Sequence, residues 1–462
     1  MRSLTHSARN RQISGAYSKL TEFLFISLLL VFIYPFFFVI AGVDPTAPIE
    51  IQSDAKIVYY LQMTLPLLCL AIAFLHRGLD VFLSLDSTIL IYLLICFTST
   101  IWSVDPYNTF KFSCLLFLYL LAIAAICRVL EIEVFCRIIV KVLMFLILAS
   151  VVMAVAFPKY GTHQLDDSLE GIHAGLWRGV FIHKNQLGAA ASISVFIFLF
   201  FRRLMGMSLG FRVMCIVAAI ACLILAQSAG SWVALCVLLV CYYLIRAIPA
   251  SGNILVLVLF VVSALAFTAF SFFGDDFLAV VGRDVTLTGR TDIWRIVLDA
   301  IWQKPLFGFG YYAATADFMR PLLVSEVGSA AVDAHNGYLD VLLGTGIVGL
   351  VPLVFCISSV IGRGTDRVKT SAGPERVCFM LLVSFPTLSL FYSFFEVAAL
   401  SGVQSVLGAL TFLSLTAIPL YLRLDRGNFR FAGVCRKHGI SMRLSASRRQ
   451  GTTDWKSPAL GG

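Results

Sequence analysis

The sequence predicts an all-α polytopic integral membrane bundle of about twelve transmembrane helices, with one long outer loop that carries a short amphipathic helix. Three observations predict it. Of 462 residues, 59% are hydrophobic and only 13% are charged, far less charge than a soluble domain needs to cover its surface. Apolar stretches near the length of about 20 residues that a bilayer demands recur along the chain. Lysine and arginine concentrate in alternate connections, the asymmetry that orients membrane helices.

The apolar stretches are 21–42, 57–76, 86–103, 109–128, 134–157, 185–201, 210–226, 230–248, 253–273, 336–361, 377–395 and 403–422. They divide the chain into an N-terminal segment 1–20, nine helices over 21–273, an outer loop 274–335, three helices over 336–422 and a basic tail 423–462. The tail is polar and rich in Arg, Ser and Gly, so disorder is expected there. The first stretch reads as a retained helix: more spans follow at once, and no small-residue cleavage site is evident.

Threading from a cytoplasmic N-terminus puts Arg2, Arg9, Arg11 and Lys19 inside, then Arg77, Arg128, the 202–212 arginines and Arg246. Arg363, Arg367, Lys369, Arg376 and the tail follow on the same side. The formal charge of +9 is therefore a topology signal. The tail also suits anionic headgroups, but it lacks the aromatic interleaving of nucleic-acid binders. No nucleic-acid partner is expected. The outer loop is different: 274–334 holds five basic and eight acidic residues.

The twelve cysteines lie mostly within spans and form no CxxC pair, so they read as small apolar packing residues. No phosphate-binding glycine loop opens a βαβ unit, and Gly308-Phe309-Gly310 falls in the outer loop. An enzyme built this way must draw its activated donor from the membrane.

Four constellations fall on the outer face. Trp177 to Gly188 (WRGVFIHKNQLG) ends an outer loop and opens the sixth span. The helix start favours anions, and Arg178, His183 and Lys184 reinforce that preference; a forked arginine contact suits a diphosphate. The plainer alternative is that Arg178 and Lys184 snorkel to headgroups beside Trp177. Thr288 to Arg295 (TGRTDIWR) leads into apolar residues at helical spacing, which predicts a short amphipathic helix with Thr291 as N-cap and Arg290 just ahead of it. Its apolar stripe reads as packing, with Trp294 and Trp302 at headgroup depth. Ala334 to Leu339 (AHNGYL) opens the tenth span, and His335 is placed to take a proton from a hydroxyl. A lone interfacial histidine is more often a satisfied polar residue. Asp340, one turn on, should pair within the bundle. Gln227, Ser228, Gly230 and Ser231 form a weaker set read as close packing. Glu396, in an apolar run, needs a partner such as Arg178 or Arg290.

Together Arg178–Gly188, Gly289–Trp294, Pro305–Gly310 and His335–Leu339 resemble the O-antigen ligase and bacterial polysaccharide polymerase superfamily, most of all exopolysaccharide polymerases of the rhizobial type. The resemblance covers most of the membrane region. It implies metal-independent glycosyl transfer, without a cofactor, on the periplasmic face of the bacterial inner membrane, with both termini cytoplasmic. The donor it implies is an oligosaccharide on polyprenyl diphosphate. Carried across by position, Arg178, Arg290 and Lys184 would hold the diphosphate. His335 would be the base, with Glu396 a polar partner or alternative base. His183, Asn185, Asp292 and Asn336 would contact substrate. Proteins that regulate chain length or export polymer would be partners besides the bilayer itself. Ligases and polymerases share these motifs, so a ligase acting on lipid A core is the alternative.

A transporter is the rival class. No six-plus-six repeat is visible, and ionisable residues within spans are few (Arg137, Lys141, Asp340), whereas proton-coupled carriers need a buried relay. A lipid-linked oligosaccharide flippase would also bind diphosphate, but it should carry cations across the bilayer rather than on one side.

Overall fold

The computed structural model describes residues 2–33, 35–36, 56–78, 85–165, 173–247, 252–254, 261, 288–312, 319–327, 334–394, 396–397, 400 and 402–437. These fold into helices α1 (Arg2–Ile33), α2 (Lys56–Arg77), α3 (Ser87–Thr98), α4 (Pro106–Val129), α5 (Ile132–Ala156), α6 (Lys184–Phe200), α7 (Leu209–Ala226) and α8 (Ala229–Ala247), followed by α9 (Thr288–Gln303), α10 (Arg320–Val327), α11 (Gly337–Thr370), α12 (Gly373–Tyr392) and α13 (Val406–Lys437). An isolated antiparallel bridge joins Thr162 to Trp177. Residues 422–462 form a second unit. Its stretch 423–437, within the tail for which disorder was expected, is helical; 438–462 lie outside the described residues.

Among the described residues eight helices are long and apolar enough to cross a membrane: α2, α4, α5, α7, α8, α11, α12 and the first part of α13. Two shorter apolar helices accompany them, Ser87–Ile101 and α6. The protein is an all-helical polytopic membrane bundle. Of the expected spans, 21–42 is described only in part and 253–273 falls almost wholly outside the described residues.

Burial separates inner helices from lipid-facing ones. In α13, 89% of the apolar stretch is buried, against 28% in α7 and in α8. α6 is buried at every position from Leu187 to Phe198. A helix apolar on all sides belongs inside a bundle, and α6 packs between α5, α7 and α8. Small residues let it approach α8. A Cβ on Gly188 would collide with Ser231 Oγ, and Ser192 Oγ donates to the carbonyls of Gly188 and Ser231. Ser228 and Ser231 are packing residues, as read, of the kind that membrane helix contacts favour.

The tenth span is not a continuous helix. Gly346 interrupts α11 at φ 64°, ψ −166°, a region open essentially to glycine alone. Pro305–Gly310 fills the interruption. Phe309 and Gly310 donate their N–H groups to the carbonyls of Leu343 and Gly344, both at 2.8 Å, and Ile347 and Val348 donate to the carbonyls of Pro305 and Leu306. Broken helices survive at membrane depth only where protein re-satisfies the freed backbone groups. The glycines make the approach possible: a Cβ on Gly308 would meet the Gly344 backbone, and one on Gly346 would meet the Leu306 carbonyl. The same segment and the residue after it hold the connection that follows α3: Val104 N–H donates to Phe309 O, and Tyr311 N–H to Ser99 Oγ. Asp340, with Tyr92, Tyr311, Tyr312 and Thr345, lines a small pocket beside the break.

At the opposite end from this break, ion pairs join the helices: Arg363 to Asp86 at 3.0 Å and Arg367 to Glu375 at 2.6 Å. Asp86 also caps α3, accepting from Thr88 N–H.

Candidate functional site

Three chain segments meet at one end of the bundle: the start of α6, the start of α11, and the turn after α12. His183 is the N-cap of α6, its Nδ1 accepting the Asn185 N–H at 3.0 Å. The Lys184 N–H donates to Nε2 of His163 at 3.2 Å, and the N–H groups of Gln186 and Leu187 return to the His183 carbonyl. The orphan donors of a helix start are thus already occupied. This corrects the expectation that α6 offers free N–H groups to an anion; charge at this helix start comes from side chains, Lys184 above all.

Asn185 reaches across to the turn after α12, donating Nδ2 to Glu396 Oε1 at 2.6 Å. Glu396, for which an arginine partner was expected, is met by an amide. The α11 start docks on the same turn. Gly337 N–H donates to Ser393 O at 2.7 Å, Tyr338 Oη to Leu390 O at 2.6 Å, and a Cβ on Gly337 would press on Ser393 and the Glu396 carbonyl. Asn336 is buried, and its Oδ1 accepts from the N–H groups of Tyr338 and Leu339. Its side-chain oxygen thus caps α11.

His335 precedes that cap with φ 44°. Positive φ is uncommon outside glycine, and such strain persists only where the surroundings impose it. The α9 helix supplies the constraint. Ile293, Val297, Ala300 and Ile301 pack on Phe309, Leu323, Ala334 and Leu343, and Trp294 Nε1–H donates to Ala334 O at 2.9 Å. The α9 stripe is therefore buried against protein, and Trp294 faces the His335 segment rather than headgroups; Trp302 is the exposed one, at 75%. Replacing Trp294 with phenylalanine would leave the Ala334 carbonyl without this donor, a loss of about 1–3 kcal/mol for a buried group. The expected result is folded protein with weakened activity, read by comparing thermal unfolding with polymer yield.

The helix itself begins at Thr288, a turn earlier than expected, so Thr291 is not its N-cap and Arg290 lies in the first turn instead of ahead of it. Arg290 sits one turn before Trp294; its side chain is outside the described residues. Asp292 is exposed and faces Arg295 at 3.9 Å, a surface pair of little energetic weight.

Arg178 is 2% exposed. Its Nε donates to Tyr160 O and one Nη to Lys159 O, closing the helical turn Pro158–Gly161. These guanidinium donors are committed to backbone carbonyls.

Sequence reasoning passed over His163 and His173. Their rings meet that of His183, with centroids 5.4–5.8 Å apart and planes 70–76° to one another. Burial, and then the charge of Arg178 and neighbouring groups, pulls His163 down to about 3; burial and Lys184 pull His173 down to about 4. His183 is held well below its ordinary value by burial first and then by His163, His173, Lys184 and His335. Spaced ten residues apart in a loop, the three follow no helix or strand period that could have signalled them. Among the described residues no group of His, Cys, Asp or Glu is arranged to hold a metal ion.

Two comparisons with known proteins bear on this site. Residues 213–354 match the O-antigen ligase family model; this stretch contains Arg290, Asp292, His335 and Asn336, while Arg178, His183, Lys184, Asn185 and Glu396 lie outside it. The chain is also similar to the exopolysaccharide production protein ExoQ of Rhizobium meliloti (strain 1021), at 29% identity over 257 residues. That match spans 52% of this chain and 58% of the relative. Both findings bear out the resemblance read from the motifs: the chain is similar, over these stretches, to proteins of the O-antigen ligase and bacterial polysaccharide polymerase superfamily.

Proposed function

We propose that this protein joins polyprenyl-diphosphate-linked oligosaccharide repeat units into exopolysaccharide or O-antigen by metal-independent glycosyl transfer. The observation that carries the reading is the convergence of Lys184, Asn185, His335 and Glu396 at one end of the bundle, from three separate segments of the chain, with Asn185 and Glu396 211 residues apart. In this reading an acceptor hydroxyl oxygen attacks the anomeric carbon and the carbon–oxygen bond to the diphosphate breaks, its electron pair leaving with the phosphate. His335 takes the hydroxyl proton, with Glu396 as the alternative base. Lys184 and Arg290 meet the charge that develops on the leaving diphosphate. Fixed cations aimed at developing charge favour the transition state over the ground state, and a diphosphate leaves without a general acid. Arg178 contributes field behind Lys184. Attack from the opposite face inverts the anomeric centre; retention of configuration in the product would rule out single displacement.

The proposed setting is the periplasmic face of the inner membrane with both termini cytoplasmic, argued from the lysine and arginine asymmetry. Proteins that set chain length and export the polymer are the proposed partners. Transfer to lipid A core is the second reading, because the matched family model is that of the O-antigen ligases.

The experiment is the glycolipid profile of a strain lacking the protein. Single repeat units on polyprenyl diphosphate, with no long polymer, are expected. Full-length polymer retained on its carrier would replace polymerase by ligase. Repeat units trapped on the cytoplasmic leaflet would replace both by a flippase.

A further inference from the structure

The cap on α6 is made of imidazole nitrogens, and an imidazole can accept a hydrogen bond only at a nitrogen that carries no proton. Two of the first N–H groups of α6, those of Lys184 and Asn185, end on Nε2 of His163 and Nδ1 of His183. Helix N-caps are ordinarily Ser, Thr, Asp or Asn, whose oxygens accept at any pH near neutrality. The structure departs from that habit twice at the same helix start.

His163 is held from behind by backbone pairing. Its own N–H donates to Leu176 O, and its carbonyl accepts from Gly175 N–H, both at 2.9 Å. It is 1% exposed. The third ring, His173, touches both others. A proton added to any one ring therefore meets two neighbouring imidazoles and Lys184 on the helix, and one on His163 also meets Arg178. His335, just ahead of the α11 cap, faces His183, and Glu396, through Asn185, faces the set from the turn after α12. The same connection carries Asp166, Asp167 and Glu170, which lie outside the described residues.

We propose that His163, with His173 and His183, is a proton-sensitive positioning cap: as neutral rings the histidines hold the first turn of α6 and so fix Lys184 and the Asn185–Glu396 pair, and protonation releases that turn. The consequence for catalysis rests on the glycosyl-transfer reading above; the cap itself does not. The direction follows from linkage. An exposed imidazole titrates near 6.5, whereas in the capped form His173 falls to about 4 and His163 to about 3. Between those limits the released form binds more protons than the capped form. The cap is thus at full strength above about pH 6.5 and weakens progressively as pH falls through about 4 towards about 3.

The test compares the full-length protein with His163→Gln, whose side-chain oxygen accepts from Lys184 N–H without titrating, and with His163→Phe, which keeps a ring but cannot accept. Hydrogen exchange of the 181–190 segment in lipid nanodiscs is followed from pH 7.5 to 4.5, beside polymer formation from lipid-linked repeat units in the same preparations. In the unmodified protein, exchange of the first α6 turn is expected to rise at least tenfold across that range after correction for intrinsic rates, and activity to fall with it. His163→Gln should flatten both curves, while His163→Phe should show fast exchange already at pH 7.5.

Unchanged protection of the α6 turn down to pH 4.5 would overturn the cap. So would a His163→Gln curve that follows the unmodified protein. Release of the turn with activity untouched would overturn its positioning role. Absence of polymer formation at every pH, in every version, would count against the glycosyl-transfer reading instead, and the exchange curves would still decide the cap.

Discussion

Replacing His335 with alanine is expected to lower glycan transfer about 10²–10⁴-fold, the range over which a positioned general base contributes, with protein levels unchanged. The structure makes the substitution more informative than a side-chain truncation alone. His335 holds φ 44° between the Ala334 carbonyl, fixed by Trp294, and Asn336, which caps α11. Alanine loses the imidazole and keeps the strained backbone. Asparagine loses the base but adopts left-handed backbone more readily, so His335→Asn should be at least as stable as the alanine variant and equally inactive. Polymer length on gels, scored against membrane-extracted protein, reads both variants. Full activity in His335→Ala would remove the general-base assignment and move it to Glu396.

Gly346→Ala is expected to abolish accumulation of folded protein. The φ and ψ at Gly346 cost a non-glycine residue about 1–3 kcal/mol from the backbone alone. The added Cβ would also collide with the Leu306 carbonyl and the Phe307 amide nitrogen, which are backbone atoms and cannot step aside without breaking the four hydrogen bonds that seal the gap in α11. Gly373→Ala is the control. Gly373 also has positive φ, at 62°, but a Cβ there meets nothing within 4 Å. It should cost only the left-handed penalty of about 1–2 kcal/mol and leave the protein extractable. The monodisperse fraction after detergent extraction distinguishes the two. Equal behaviour of both variants would mean that the segment Pro305–Gly310 is not what holds the broken helix together.

The helices were legible because bilayer-scale hydrophobicity leaves few alternatives: α2, α4, α5, α7, α8 and α12 fall within a few residues of the stretches read from composition. The break in α11 was not legible. Gly344, Thr345 and Gly346 sit inside an apolar run, and a glycine is ordinary in membrane helices; only the arrival of Pro305–Gly310 from another part of the chain makes the break affordable. The α9 stripe shows the same division. Its period announced a helix, yet whether Ile293, Val297 and Ile301 faced lipid or protein depended on Leu323, Ala334 and Leu343, which no local pattern names.

The candidate site divides along the same line. By itself the sequence determined the all-helical membrane class, the concentration of Arg, His, Lys and Glu at a few connections, and a family resemblance carried by four short motifs. Those follow from composition, charge asymmetry and local residue order, which act over one helix at a time. The tertiary structure alone decided what each residue is free to do. It put the Arg178 guanidinium on the carbonyls of Lys159 and Tyr160, made Asn336 a cap, joined Asn185 to Glu396 and gathered three histidines over the start of α6. The physical reason is that a polar group buried at a helix end must find a partner, and which partner lies within 3 Å is fixed by how distant segments pack.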